Sequence, residues 1–187
     1  AKAPLSAPVT TIAILASNQL LRFVNHGVKG STSSLQLDGK SWLDLPAFRA
    51  PKVAGGRSLQ IKGTIDPTSP SGVILAHGGN HAGYSVYLDE DHLCFAACVN
   101  KKRTVIRSPA AITGSANFEA NWSSKGEMFL KVNGKLVGKE QAGIIRHEPG
   151  DSIQIGADQI QPVGNYNPPN RFSGTIENLT FKYPNGK

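Results

Sequence analysis

One stretch, "EMFLKVNGKLVGKE" from Glu127 to Glu140, restricts the possible folds more than any other. Met128, Leu130 and Val132 alternate with polar residues at the period of two that a half-buried strand requires. Asn133-Gly134 then supplies the two left-handed positions of a tight hairpin turn, and Leu136 opens the return strand. The pattern recurs along the chain. "SLQIKGTID" alternates Leu59, Ile61, Gly63 and Ile65, and "ANFEANWS" places Phe118, Ala120 and Trp122 on one face. "YSVYLDEDHLCFAACVN" reads as two strands around a turn at Asp89-Glu90-Asp91. "SLQLDGKSWLDL" reads as a hairpin about Asp38-Gly39, and "GVILAHG" as a strand buried on both faces over Val73–Ala76. About twelve to fourteen short strands are predicted, without helical periodicity or an internal repeat. That is the pattern of an all-β sandwich or barrel.

A chain of 187 residues with 39% hydrophobic side chains suits one domain with its own core. The Ala/Pro-rich residues 1–8 read as a linker or trimmed terminus, and residues 9–187 as a single domain. No apolar run reaches the roughly 18–20 residues of a membrane span. Twenty Lys and Arg against 13 Asp and Glu give a net charge of +7, a bias toward anionic partners. Its densest run, Lys101, Lys102, Arg103 and Arg107, reads as the charged edge of a hairpin, and no nucleic-acid module accompanies it. Cys94 and Cys98 would stand about 13 Å apart along one strand face, too far to bridge, and read as small buried thiols beside Ala96.

Chemistry is sparse. His77 and His81 flank Gly78-Gly79-Asn80, which suits a turn better than a metal pair, since no third ligand is near in sequence. The acidic run Asp89-Glu90-Asp91 sits at a turn, where its carboxylates do not face one another across a cleft as glycoside hydrolysis requires. No nucleophile-elbow or phosphate-loop motif is present. The reading is a protein that is not an enzyme. For binding, Tyr84 and Tyr87 have opposite parity on one strand, and Tyr84, nearest the turn, is expected to face solvent or a cleft. Tyr166 lies in "PVGNYNPPNR", a polar loop of the kind that carries binding function on a rigid scaffold. The candidate ligand-binding set is Asn80, His81, Tyr84, Arg103, Asn165 and Tyr166.

The order of "LQLDGKSWLDLP", "GVILAHGGNHAGYSVYLDEDHLCF", "GEMFLKVNGKLVG", "IQIGAD" and "RFSGTIENLTF" resembles the concanavalin A-like lectin/glucanase superfamily, in particular laminin-G-like domains. Within it, the chain resembles more closely the domain at the C-terminus of some bacterial arylsulfatase-like proteins, over roughly residues 33–181. The resemblance implies a two-sheet antiparallel jelly roll. It does not carry sulfatase activity, because neither cysteine sits in a Cys/Ser-x-Pro/Ala-x-Arg motif. It implies calcium as a candidate ligand, with Asp158 as a possible donor. The function expected is a non-catalytic carbohydrate-binding accessory domain, with sulfated and uronic glycans as candidate partners. It would be secreted or periplasmic, beside a sulfatase or other glycan-processing catalytic domain. A structural or protein-interaction module is the alternative, and a glycoside hydrolase of the same fold the third.

Overall fold

The computed structural model describes residues 9–13, 23–31 and 33–184. They form fifteen strands and a single 3-10 turn. In chain order the strands are β1 (Val9–Ala13), β2 (Val24–His26), β3 (Lys29–Gly30), β4 (Ser34–Asp38), β5 (Trp42–Leu45), β6 (Leu59–Pro67), β7 (Gly72–Gly78) and β8 (Ala82–Asp89). There follow β9 (His92–Val99), β10 (Lys102–Arg107), β11 (Ala116–Trp122), β12 (Glu127–Val132), β13 (Lys135–Gln141), β14 (Ile153–Ile155) and β15 (Ser173–Pro184). One sheet runs β13-β12-β11-β6-β15-β4-β3, with β1 also pairing to β15. The other runs β10-β9-β8-β7-β14-β5-β2. Every strand pairing is antiparallel, and the two sheets stack as a jelly-roll sandwich. No helix among the described residues is long and apolar enough to cross a membrane.

Alternation builds the core. Leu59, Ile61 and Ile65 of β6, Phe118, Ala120 and Trp122 of β11, and Met128 and Leu130 of β12 point inward. They meet Tyr84, Val86 and Leu88 of β8 and Phe95 and Ala97 of β9 from the opposite sheet. Three hairpins turn on paired left-handed residues: Glu90-Asp91, Asn100-Lys101 and Asn133-Gly134. Such turns match the right-handed twist of the strands they join.

The expected hairpin at Asp38-Gly39 is not one: β4 lies in one sheet and β5 in the other. The Asp38 carboxylate accepts the amide hydrogens of Lys40 and Ser41, each at 2.9 Å, and so carries the chain across the core. Leu35 and Leu37 then line one sheet while Leu43 and Leu45 line the other.

A second, smaller apolar cluster lies on the far face of the β7–β9 sheet. Val73, Ala76, Tyr87, Cys94, Ala96 and Cys98 are covered there by Val163 and Tyr166. The covering segment, residues 156–172, acts as a strap. It explains why β7 is buried along its whole length, as its apolar run predicted.

Candidate functional site

Half of the candidate ligand-binding residues, Arg103, Asn165 and Tyr166, hold this strap in place. Arg103 donates from Nε to the Val163 carbonyl at 2.6 Å, and from its two terminal nitrogens to the Pro162 carbonyl and Asn165 Oδ1, each at 3.1 Å. The Asn165 amide donates to the Tyr87 hydroxyl at 3.1 Å. Tyr166 packs edge-on against Tyr87, with ring centroids 4.8 Å apart, and its hydroxyl donates to Asp158 Oδ2 at 2.6 Å. Tyr166 therefore has the packing role that its polar sequence context concealed. Asn80 and His81 are exposed at the β7–β8 turn, where Gly78 takes a positive φ of 84° and a side chain would meet the Ala82 carbonyl.

Tyr84 does not face solvent: it is fully buried between the sheets. The parity argument holds, since Tyr84 and Tyr87 point to opposite faces. The strap, however, leaves neither face of β8 open. The Tyr84 hydroxyl shares a 3.0 Å hydrogen bond with His77 Nδ1, while His77 Nε2 is buried with no hydrogen-bond partner among the described residues. Burial, reinforced by the Lys52 charge, pushes the His77 pKa down to about 3.

Asp158 is also buried, and burial raises its pKa despite the Tyr166 hydrogen bond. With Asp151, Ser152 and Gln154 it lines a cavity of about 10 Å³. Calcium takes six to eight oxygen ligands. Among the described residues no three His, Cys, Asp or Glu side chains gather around a metal position. One Asp158 carboxylate oxygen is engaged by the Tyr166 hydroxyl.

An open groove lies elsewhere, on the outer face of the eight-stranded sheet. The alternation that sends Leu59, Ile61, Ala120, Trp122, Met128 and Leu130 inward sends Gln60, Lys62, Glu119, Asn121, Phe129 and Lys131 outward. Strand register lines these up in rows across the sheet. Phe129 pairs with Asn121, Asn121 with Gln60, and Gln60 with Lys182. In the neighbouring row Lys131 pairs with Glu119, and Glu119 with Lys62. A bulge in β15 between Glu177 and Thr180 resets that strand's alternation. Ile176 points inward before it and Phe181 after it, so Lys182 faces outward.

The rows border a groove of about 570 Å³ in which Glu119 is the one acid among the described lining residues. Gln60 Nε2 donates to Asn121 Oδ1 at 2.8 Å and to Glu119 Oε1 at 3.1 Å, and Asn121 Nδ2 donates to Glu119 Oε1 at 3.0 Å. Lys62 and Lys131 sit 3.5 Å and 3.6 Å from the same carboxylate. Partial burial works to raise the Glu119 pKa. The Asn121 amide and the two ammonium groups outweigh it and hold the carboxylate below its ordinary value. At the β12 end the half-buried Phe129 ring lies 5.0 Å from Lys139 Nζ, and Leu136 is exposed beside it.

No protein-family model matches the sequence, and no curated protein matches it. Solved structures do match in shape. Domains LG4-5 of the mouse laminin alpha1 chain superpose with a TM-score of 0.64 at 18% identity, covering 83% of this chain and 43% of that one. The native heptameric SAP-like pentraxin from Limulus polyphemus gives 0.51 at 23% identity, over 66% of this chain and 63% of that one. The CBM40 of the Ruminococcus gnavus IT-sialidase, solved with alpha2,3 sialyllactose, gives 0.53 at 17% identity, over 68% and 76%. The chain thus spans less than two thirds of the laminin and pentraxin chains. These likenesses establish the jelly-roll fold. The groove residues were not among the sequence candidates, because outward polar residues on alternating strands look like an ordinary solvated face. Only the order β12-β11-β6-β15, which joins segments far apart in sequence, collects them.

Proposed function

We propose that this chain is a non-catalytic carbohydrate-binding module whose ligand lies in the groove on the outer face of the eight-stranded sheet. The observation that carries the reading is the row Phe129, Asn121, Gln60 with Glu119 bound behind it. A sugar ring has an apolar face and a rim of hydroxyls. An aromatic ring beside amides and a carboxylate complements both. The amides are held in place by one another, so little ordering is needed on binding.

The same groove argues against hydrolysis. Glycosidases work with two carboxyl groups flanking the bond. Here Glu119 is the one acid among the described groove residues, and its neighbours favour the ionised form over a proton donor. The CBM40 neighbour carries a sialylated ligand, which supports an oligosaccharide as the class of partner. Placement outside the cytoplasm, beside a sulfatase or other glycan-processing domain, belongs to the same proposal and rests on the sequence resemblance. A protein-interaction module is the alternative, favoured by Phe48, which is 77% exposed on the 3-10 turn with Arg49 against its ring.

The test is an amide-resolved NMR titration with neutral, uronic and sulfated oligosaccharides, with and without calcium. Shifts are expected in β6, β11, β12 and the end of β15. Binding localised to the strap, or silence across the panel, would overturn the assignment.

A further inference from the structure

Resting on the carbohydrate reading, we infer that the groove is polar in direction. It seats an uncharged pyranose on Phe129 at its β12 end and a carboxylate or sulfate group on Lys182 at its β15 end. The charges of the face lead there by subtraction. Lys62 and Lys131 both lie against Glu119, and Lys139 is paired with Glu127 at 3.1 Å. Lys182 lines the same groove, is exposed, and has no carboxylate of the described residues within 4 Å. Of the described cations lining the groove, Lys131 and Lys182, it is the one left to meet an incoming anion.

Its position is built by the fold. Without the bulge between Glu177 and Thr180, the alternation that points Ile176 inward would point Lys182 inward too. Asn178 takes the left-handed conformation, φ 51°, within that irregularity. Bulges commonly re-aim side chains at functional edges of sheets. At the other end Phe129 and Leu136 offer apolar surface. Three interstrand steps separate Phe129 from Lys182, about 14 Å across the sheet. Between them Asn121 and Gln60 present amides. A short oligosaccharide laid across the strands spans this distance, whereas a single ring does not reach both ends. The shared chemistry is a terminal anionic substituent, whether a sugar acid or a sulfate ester.

The experiment uses three matched trisaccharides: neutral, with a carboxylate on the terminal residue, and with a sulfate ester there. Each is titrated calorimetrically, at low and at physiological salt, into the wild type and the Lys182→Gln, Phe129→Ala and Lys102→Gln proteins. The wild type is expected to favour one or both anionic sugars by roughly three- to fivefold at low salt, the range of a partly exposed ion pair, and less at higher salt. Lys182→Gln should erase that preference, bringing the anionic sugars to the affinity of the neutral one. Phe129→Ala should weaken all three sugars, and Lys102→Gln, off the groove on β10, should keep the preference. Which anionic sugar responds tells carboxylate from sulfate. A preference that survives Lys182→Gln, or a wild type that binds all three equally while Phe129→Ala still weakens them, overturns the directional inference alone. Failure of all three sugars to bind overturns the carbohydrate reading with it.

Discussion

The buried His77 provides a prediction whose size follows from its surroundings. The unfolded chain takes up a proton at this side chain as the pH falls through about 6.5. The folded protein resists protonation down to about 3, because the imidazole is sealed between the sheets and faces the Lys52 charge. The folded pKa is the lower one, so the unfolded state binds more protons in between. Stability is therefore complete above pH 7 and drains away as the pH falls through 6.5 toward 3. Between pH 7 and pH 5 the loss from this one group is about 2 kcal/mol. The figure depends only on the unfolded-state value, since folded His77 carries no proton at either pH. It is a large share of a stability of roughly 5–15 kcal/mol. Urea unfolding followed by tryptophan fluorescence, in the wild type and in His77→Asn, measures it. The variant's absolute stability will fall. Its change between pH 7 and pH 5 should nevertheless be about 2 kcal/mol smaller than that of the wild type. Parallel pH profiles for the two proteins would refute the assignment of a buried, neutral histidine.

Further outcomes are expected at the strap, the thiols and the groove. Arg103→Ala removes three hydrogen bonds to the strap and should cost about 1–3 kcal/mol, with faster hydrogen exchange at residues 162–166 and no change in glycan affinity. Cys94 and Cys98 are each 1% exposed, and burial raises the Cys94 pKa to about 11 and that of Cys98 in the same direction. A thiol reagent at pH 8 should therefore label neither until denaturant is added. Phe129→Ala should shift the unfolding midpoint little, because the ring sits outside the core, while weakening glycan binding about five- to tenfold by calorimetry.

The jelly roll was legible because its evidence is local. Alternation in β6, β11 and β12 and the Asn133-Gly134 turn can be read within a dozen residues. Trp122 as a core residue and the two cysteines as buried thiols follow from the same alternation. The errors arose where a local signal has a nonlocal outcome. Asp38-Gly39 has hairpin chemistry, yet its turn passes the chain between sheets. Tyr84 was expected at the surface by parity, but parity cannot reveal that the strap, some eighty residues later, covers the other face. The groove was illegible for the same reason. Gln60, Glu119, Phe129 and Lys182 become neighbours only through strand order, and Lys182 faces outward only because a bulge shifts its phase.

On the proposed carbohydrate reading, that strand order also determines what a bound sugar would do to the protein. A ligand touching Phe129, Asn121, Gln60 and Lys182 bridges four strands drawn from both halves of the chain. No single hairpin can fray and let it go, because each holds only part of the contact surface. Release by unfolding would then require β12, β11, β6 and β15 to part together, and ligand would protect those strands as a unit. At a hundred times its dissociation constant it adds about 2.7 kcal/mol to global stability. Hydrogen exchange in β6 and β11 should then slow together with exchange in β15, far away in sequence, and a sugar bound there would act as a cross-brace on the sheet.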